Sequence, residues 1–532
     1  MARLNVTAAD PMKNRVTIAD CRGYLIVDGE ISITEQCQPA RHRNNPDSLL
    51  HIFSLLLFLL VCAGYFAVPL WDSDFWWHIA SGREILQNGI PDADPFGVFP
   101  STDIVRNDTV LKGQWLGQVV LFTVFEAGGV NAVVAFRVLV LLACVALVWW
   151  RCRQLNVGLL ALWLVLILVG LNAGNFGGER PQLLSFLFAA LFFVTIDLAE
   201  KNRWWLFALP VITVLWANSH GGVLLGVALL GLWTLLRLFD ANAGWQEKRP
   251  WLLAAGAVVL ASLLTPNGLQ TYLYLLDLEG SVLQARTSEY ISAFQLYTLG
   301  YIWQQVWVVA FYIVALVAAV SMFQRRQWQY LASTVFLGAI SASSFRYFVF
   351  FIFLCAPYIA WAVQDTLKKL PELKPNITRI AQGVLLFSLF GLLIVSLLRG
   401  TMFRGGFYQE IYPVEMANFV QENNLRGRTF NNMEWGGYLL WRLTPQVTPY
   451  IDGRMLDEKR FPPYTNILWA TPPGIQWFEH ENFQLVMMPY HGRYDPQRYK
   501  LLDYLRAQPE WLLVYRDAKG VVFLRDDRRK NN

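Results

Sequence analysis

The sequence has little charge for its length. Only 16% of its 532 residues are charged, whereas 55% are hydrophobic and 15% aromatic. Soluble domains carry about 25% charged residues, so this composition argues against a soluble protein. The formal net charge is only +5, and the basic residues stand in short clusters between apolar runs. The broad basic surface of a nucleic-acid-binding protein is therefore missing, and we expect no nucleic-acid partner.

Cysteine is also scarce, and no set of cysteines has metal-ligand spacing. This argues against a disulfide framework or a zinc site. The six residues are scattered, and none lies in the polar C-terminal region: Cys21, Cys37, Cys62, Cys144, Cys152 and Cys355. Residues 1–47 are polar, so we expect a cytoplasmic N-terminal tail with no cleavable signal peptide before the first apolar run.

Long apolar runs dominate residues 48–398, which we predict to form a transmembrane domain. About eleven segments are close to the ~20 residues that cross a bilayer as a helix. Basic clusters alternate between them, so the positive-inside rule puts the N-terminus in the cytoplasm and the C-terminus outside. We therefore predict a multi-pass protein of the cytoplasmic (inner) membrane, in contact with membrane lipids, with spans near 49–70, 130–150, 156–173, 182–198, 204–218, 221–238, 251–265, 301–322, 328–343, 347–363 and 379–398.

Residues 399–532 have a different character. They are charged and proline-rich, with period-2 apolar patches at 447–451, 484–488, 512–515 and 521–524 and helical patterns between them. Alternating strands and helices predict a small α/β domain. The topology places this domain in the periplasm or outside the cell.

The first outer loop, predicted at residues 71–116, begins with WDSDFWWHIASGREILQNG. Over Asp74–Gln87 the apolar and polar residues separate onto two helical faces. This predicts a helix on the outer membrane surface, with Trp76 and Trp77 at the level of the lipid headgroups. Asp72 and Asp74 lie at its start, where carboxylates are costly unless paired or used. They could cap the helix, or one of them could act as a general base.

The order of features over residues 48–150 resembles a known superfamily. An acidic residue after the first span is followed by a helix ending in Gly-Arg-Glu-Ile-Leu and a Pro/Asp turn at 90–95. Lys112, a Gly128-Gly129 break and Arg137 then lead into the second span. This order resembles the GT-C superfamily of polyprenol-phosphate-dependent glycosyltransferases, in the branch of protein O-mannosyltransferases and lipid A aminoarabinose transferases.

The resemblance implies roles for several residues. Those enzymes carry an Asp-Glu pair in this loop, with the Asp as catalytic base. Counting back from Arg83 puts that Asp at Asp74. The next residue is Phe75 and not Glu, so Asp72 is the candidate second carboxylate. Lys112 falls where these families place a lysine near the donor phosphate.

Two arginines are further candidates for binding the donor phosphate. Arg180 and Arg346 are predicted at the outer ends of spans, where the positive-inside bias makes basic residues uncommon. The alternative is a structural ion pair, for Arg180 with Glu179. Arg137 lies within the second span, and we expect it to pair with Glu126.

His78, His220 and Trp77 are candidate substrate-binding residues. His220 ends a span beside a glycine pair, His78 lies one turn after Asp74, and sugar rings stack on tryptophan faces. Each could instead be a helix-end or interfacial residue. Asp72, Asp74 and His78 could also ligate a divalent cation, Mg²⁺ or Mn²⁺, and this alternative stays open because superfamily members differ in metal use.

The leading hypothesis is a glycosyltransferase that uses a polyprenyl-phosphate-linked sugar donor. Transfer would occur on the outer face of the membrane, with inversion, to a glycan, lipid or protein acceptor. One alternative is a transporter or flippase for a lipid-linked sugar, but the expected inverted repeat is not visible. Another is a non-catalytic GT-C-like protein for envelope polysaccharide assembly, because Glu is missing after Asp74. The C-terminal domain would bind the acceptor or close over the active-site mouth.

Overall fold

A computed structural model describes residues 26–27, 30–31, 46–97, 103–174, 178–277, 291–368, 375–492 and 497–526. Residues 1–54 and 55–532 form two separate compact units. In the first unit, strands β1 (Ile26–Val27) and β2 (Glu30–Ile31) pair antiparallel. The remainder of the predicted tail before residue 46 lies outside the described residues. The predicted boundaries at residues 47 and 398 stay predictions.

Each apolar segment predicted from the sequence coincides with a helix. These helices are Pro46–Phe66, Trp115–Gln154, Leu159–Ala173, Gln182–Lys201, Ala208–Ser219, Val223–Leu238, Trp245–Ser262, Ile302–Gln324, Trp328–Ser343, Phe348–Leu367 and Pro375–Leu398. Among the described residues, five helical stretches are long and apolar enough to cross a membrane, and three shorter helices are also apolar. The fold is therefore mostly helical with several membrane-spanning helices, while the count of eleven spans stays a prediction.

The helix Trp115–Gln154 bends where the sequence predicts a break. Gly128 (φ −167°, ψ 24°) and Gly129 (φ 63°, ψ −155°) both leave helical geometry. The positive φ of Gly129 combined with this ψ is accessible to glycine and not to other residues. The predicted second span is thus the second arm of one kinked element. The first arm packs on the loop helix Phe75–Asn88, and the second enters the core of the helical bundle.

The centre of the bundle is the helix Phe348–Leu367, which is buried along nearly its whole length. It packs against the helices Leu159–Ala173, Ile302–Gln324 and Trp328–Ser343. Because its sequence is apolar on all sides, it can be surrounded by other helices without burying unpaired charge. Shorter helices outside the bundle are Ile104–Lys112 and Gln270–Asp277.

The C-terminal region contains one five-stranded sheet. Its strands are β3 (Gly427–Asn431), β4 (Val447–Pro449), β5 (Leu485–Pro489), β6 (Trp511–Arg516) and β7 (Gly520–Arg525), in the order β4-β3-β5-β7-β6. Strand β3 is parallel to β4 and β5, and β7 is antiparallel to β5 and β6. The alternation of strands and helices agrees with the sequence pattern. The helices of this region are Val414–Glu422, Met433–Leu443, Phe461–Leu468, Pro472–Glu481 and Leu501–Ala507.

The loop helix Phe75–Asn88 lies between the bundle and the C-terminal region. Its residues Phe75 and Trp76 belong to a core cluster that also contains Tyr412 and Tyr438. The rings of Trp76 and Tyr438 meet edge to face at 5.0 Å. Trp76 and Trp77 are only 3% and 5% exposed. The C-terminal region covers both side chains, so they do not face lipid headgroups, and the depth of this helix in the membrane stays a prediction.

Candidate active site

Asp72 and Asp74 lie in the turn that precedes the loop helix Phe75–Asn88. Asp72 Oδ1 accepts a hydrogen bond from the backbone N–H of Asp74 at 3.0 Å, which fixes the turn. Asp74 occupies the N-cap position, but its side chain makes no capping hydrogen bond. The capping alternative therefore does not describe Asp74, whose carboxylate points to another partner.

That partner is Arg180, which bridges both carboxylates. Arg180 Nε lies 2.5 Å from Asp72 Oδ2, and Arg180 Nη1 lies 3.1 Å from Asp74 Oδ2. The side chain of Asp72 is 3% exposed, whereas those of Asp74 and Arg180 are 19% and 25% exposed. Asp74 is thus the carboxylate that a substrate can reach. Arg180 compensates the charge of the buried Asp72, which would otherwise be costly.

Two glycines allow the chain to approach the carboxylates closely. A Cβ on Gly178 would overlap Asp72 Oδ2, and a Cβ on Gly453 would overlap Asp74 Oδ1. Gly178 belongs to the segment that carries Arg180, and Gly453 belongs to the C-terminal region. The site is therefore built from the loop, the bundle and the C-terminal region together.

His78 is buried one turn after Asp74 in the loop helix. Its ring lies against the ring of Trp77, with 3.5 Å between the centroids, and its Nδ1 lies 3.5 Å from Gln118 Nε2. Burial lowers the pKa of His78 well below its usual value of 6.5, and the charges of Arg180 and His220 lower it further. His78 is therefore neutral at physiological pH.

His220 is held in a defined orientation at the end of the helix Ala208–Ser219. Its Nδ1 accepts a hydrogen bond from the backbone N–H of Gly222 at 2.9 Å and lies 2.9 Å from Ser185 Oγ. The Ser185 hydroxyl is oriented in turn by Trp216 Nε1, which donates to it at 2.7 Å. Because Nδ1 accepts, the ring proton of a neutral His220 is on Nε2.

The other predicted phosphate ligands are placed differently. Lys112 pairs with Asp92 at 3.0 Å and with Asp108 at 3.2 Å, so it is engaged within the outer loop. Arg346 is half-buried in the short 3₁₀ turn Phe345–Tyr347, with its guanidinium 5.9 Å from the ring centroid of Tyr347. Their roles at a donor phosphate stay predictions.

Arg137 has a structural role with a different partner from the predicted Glu126. Its guanidinium forms a very short ion pair with Glu179 and donates to the carbonyl oxygens of Phe66, at 2.9 Å, and of Val68. Arg137 and Glu179 are both buried. This pair fixes the end of the first helix next to the segment that carries Arg180, so Glu179 is not available to Arg180.

Residues 431–437 of the C-terminal region have the sequence NNMEWGG. They bring the helix Met433–Leu443 onto the loop helix. Asn431 is buried and donates to the carbonyl of Ile451 at 2.8 Å, while Asn432 caps the helix by accepting from the N–H of Glu434 at 3.0 Å. A Cβ on Gly436 would overlap the carbonyl oxygen of Ile451. A Cβ on Gly437 would be 3.1 Å from the carbonyl oxygen of Ser73, beside Asp74.

Arg454 joins the C-terminal region to the outer loop. It is fully buried, pairs with Asp452 at 2.9 Å, and also pairs with Asp94 at 2.6 Å. The two carboxylates raise the pKa of Arg454 and outweigh the effect of its burial. The Asp94 contact was not predicted, because 360 residues separate the two partners. The ion pair between Arg454 and Asp94 holds Gly453 against Asp74.

The residues do not fit a cation site of three protein ligands. In the part of the chain that the structure describes, no three Asp, Glu, His or Cys side chains converge as metal ligands. His78 is turned to Gln118, and the guanidinium of Arg180 occupies the space between Asp72 and Asp74. The predicted ligation of Mg²⁺ or Mn²⁺ by Asp72, Asp74 and His78 therefore has no support in this arrangement.

Comparison with known proteins identifies the fold. No protein-family model matches the sequence, and no curated protein matches it. The chain resembles the crystal structure of ArnT from Cupriavidus metallidurans bound to undecaprenyl phosphate, at 13% identity and a TM-score of 0.50, over 90% of this chain and 97% of that one. The apo form of the same ArnT gives 14% identity and a TM-score of 0.47, over 90% of this chain and 97% of that one.

An oligosaccharyltransferase from Archaeoglobus fulgidus, in complex with zinc and sulfate, gives 10% identity and a TM-score of 0.49 over 89% of this chain and 73% of that one. At these identities the likeness concerns the fold. The chain shares its overall fold with the ArnT structure that holds undecaprenyl phosphate, as the resemblance in its sequence predicts.

Proposed function

We propose that this GT-C-like chain is a glycosyltransferase that uses a polyprenyl-phosphate-linked sugar and acts on the outer face of the cytoplasmic membrane. The observation that carries the proposal is the pair Asp72 and Asp74 bridged by Arg180 directly after the first apolar helix. This arrangement places a candidate general base and a side chain that can bind an anion at one site. The acceptor would be a hydroxyl-bearing glycan, lipid or protein.

Asp74 is the proposed general base. Its carboxylate takes the proton of the acceptor hydroxyl as the acceptor oxygen bonds to the anomeric carbon from the face opposite the phosphate. The bond from that carbon to the phosphate oxygen breaks, and its electron pair leaves with the polyprenyl phosphate. Inversion at the anomeric carbon follows from this single displacement. The partial exposure of Asp74 supports its choice over the buried Asp72.

Arg180 is proposed to bind the donor phosphate. Its side chain is 25% exposed, and it contacts Asp74 through one nitrogen at 3.1 Å, longer than its 2.5 Å contact with Asp72. An arriving phosphate would compete for that nitrogen, since guanidinium binds phosphate in two-pronged geometry. Asp74 would then lose its cationic partner and become the stronger base, while Asp72 would keep Arg180 in place. Lys112 and Arg346 are proposed further phosphate ligands.

His220, His78 and Trp77 are proposed to bind the sugar or acceptor. With Nδ1 of His220 occupied, Nε2–H is the donor that the ring can offer to a hydroxyl or phosphate oxygen. Neutral His78 supports the ring of Trp77 from one side, and Trp77 Nε1 lies close to Gly453, at 3.2 Å from the position of a Cβ. The C-terminal region would bind the acceptor or close the site through Gly453.

Replacing each carboxylate by its amide tests the proposal. Purified Asp74→Asn and Asp72→Asn proteins would be given polyprenyl-phosphate-linked sugars and a membrane extract as acceptor source, and release of polyprenyl phosphate would be measured. We expect loss of transfer in Asp74→Asn and a smaller loss in Asp72→Asn. Asp240→Asn is the matched control, because this exposed carboxylate accepts a local backbone hydrogen bond from Asn242 that an amide oxygen can also accept.

Normal transfer by both carboxylate variants would overturn the assignment of the base. No transfer by the wild-type protein with any such donor would favour the non-catalytic alternative. Donor-lipid binding by a wild-type protein without transfer, coupled to lipid movement in vesicles, would favour the transporter. Thermal unfolding in the same detergent shows whether each variant is folded.

A further inference from the structure

A cavity of about 390 Å³ lies at the far end of the bundle from Asp72 and Asp74. The helix Gln182–Lys201 connects the two places: Ser185 contacts His220 near its start, and Asp197, Glu200 and Lys201 line the cavity at its end. A helix of 20 residues is about 30 Å long. The cavity is therefore separate from the proposed active site, at the end that the basic clusters predict to be cytoplasmic.

The charges around the cavity leave an excess of one positive charge. Asp197 is compensated by the buried Arg151 at 2.6 Å, and Glu200 forms a very short ion pair with Arg237. Lys201 donates to the neutral side chain of Gln154 at 2.8 Å. The side chains that line the cavity carry two positive and two negative charges, and the buried Arg151, which pairs with Asp197, adds one positive charge beside them, which favours an anion.

Hydrogen-bond donors are also available there. The amide side chains of Gln154, Gln327 and Gln329 also line the cavity. Together with Lys201 they form a set of donors suited to the oxygens of a phosphate group.

The rest of the lining is apolar and aromatic. Trp150, Trp233, Leu155, Leu198 and Tyr330 supply it. Trp and Tyr beside Lys and Arg at the end of a helical bundle are typical of the membrane–water interface. A ligand there would place its charged group on Lys201 and its apolar part along the rings and leucines. The volume falls in the range of small-molecule sites.

We propose that this cavity binds the phosphate headgroup of an anionic membrane phospholipid. The ligand is a phosphodiester with apolar chains, held at the end of the bundle opposite the carboxylate site. A soluble phosphate ester has the same charged chemistry but lacks the apolar part that the leucines and rings accommodate. The assignment does not depend on the proposed transferase activity, because it concerns different residues and a binding measurement.

Native mass spectrometry of the purified full-length protein in detergent tests the proposal. The protein is titrated with phosphatidylglycerol or with phosphatidylcholine, whose headgroup has no net charge. We expect preferential retention of phosphatidylglycerol, and an affinity about fivefold lower in Lys201→Gln, which removes one interfacial cation. Lys248→Gln is the matched control: Lys248 donates to the carbonyl of Leu238 at 3.0 Å and does not line the cavity. It should bind like the wild type.

A second variant fills the cavity without changing its charge. Gln329→Trp should abolish the preferential retention, while Gln246→Trp, at an exposed position outside the lining, should keep it. Equal retention of both lipids by the wild type, or equal affinities of Lys201→Gln and Lys248→Gln, would overturn the proposal. Displacement of the lipid by glycerol 3-phosphate at the same concentration would assign the site to a soluble phosphate ester and overturn the lipid assignment.

Discussion

A substitution of Gly453 tests whether the C-terminal region sets the position of Asp74. A Cβ at this position would overlap Asp74 Oδ1 and lie 3.2 Å from Trp77 Nε1. Gly453 is not among the glycines with positive φ, so its backbone conformation alone does not forbid alanine. The variant Gly453→Ala therefore acts through this contact. We expect it to displace the carboxylate of Asp74.

The size of the effect follows from the overlap. Non-bonded heavy atoms separate at about 3.5 Å, so the carboxylate must move by roughly 1 Å or more. A misplacement of about 1 Å at a reacting group can reduce the rate about 100-fold, which is about 2.7 kcal/mol of the activation free energy. The loss of unfolding free energy should lie near the low end of the ~1–3 kcal/mol typical of overpacking, because Asp74 is partly exposed and can move.

The assay compares kcat and KM for release of polyprenyl phosphate with the midpoint of thermal unfolding. We expect a loss in kcat with a nearly unchanged midpoint. Gly256→Ala is the matched control, because a Cβ on Gly256, in the helix Trp245–Ser262, meets no atom within 4 Å. A folded Gly453→Ala protein with the wild-type kcat would refute the idea that the C-terminal region positions the base.

Further predictions concern the buried charges and His78. Arg180→Gln should stop transfer and lower the free energy of unfolding by about 3–5 kcal/mol, since Asp72 would lose its partner in a buried site; thermal unfolding and donor binding measure the two effects. Arg137→Met should destabilise the protein by a similar ~3–5 kcal/mol because Glu179 stays buried, and adding Glu179→Gln should restore part of the loss. Because the pKa of His78 is lowered in the folded state, the unfolded state binds the extra proton below pH 6.5. The free energy of unfolding should therefore decrease as the pH is lowered below 6.5, by up to about 1.4 kcal/mol per pH unit for this one proton. His78→Gln should remove that part of the pH dependence in unfolding measurements.

The helices and the place of the carboxylates could be predicted because they depend on local pattern. Apolar runs give the helices of the bundle, and the glycine pair at 128–129 gives the kink. Strand β3 was not predicted, because Gly427–Asn431 is short and its apolar content is low. It is a strand because it pairs on both sides, with β4 and β5.

The partners in the site could not be predicted from local pattern. Arg180 meets Asp72 across 108 residues of sequence, and Arg454 meets Asp94 across 360. The burial of Trp76 depends on Tyr412 and Tyr438 in the same way. A loop helix with an apolar face can lie on a membrane or under another part of the chain, and the periodicity is the same in both cases.

Phe75 has a core position that does not accommodate a carboxylate. Phe75 is fully buried and packs against Trp76 and Phe125, with ring centroids 5.2 and 6.0 Å away. A glutamate there would bury a charge among aromatic rings, at a cost of several kcal/mol. Asp72, two residues earlier, instead reaches Arg180 at 2.5 Å.

The double variant Asp72→Asn/Phe75→Glu would introduce the Asp-Glu order of the superfamily that the sequence resembles, yet we expect it to be less stable than Asp72→Asn alone and to regain no transfer. Phe75→Leu, which keeps the position apolar, is the control and should unfold at a midpoint closer to that of the wild type. Full transfer by the folded double variant would mean that the second carboxylate can act from position 75, so that the link between Asp72 and Arg180 is dispensable.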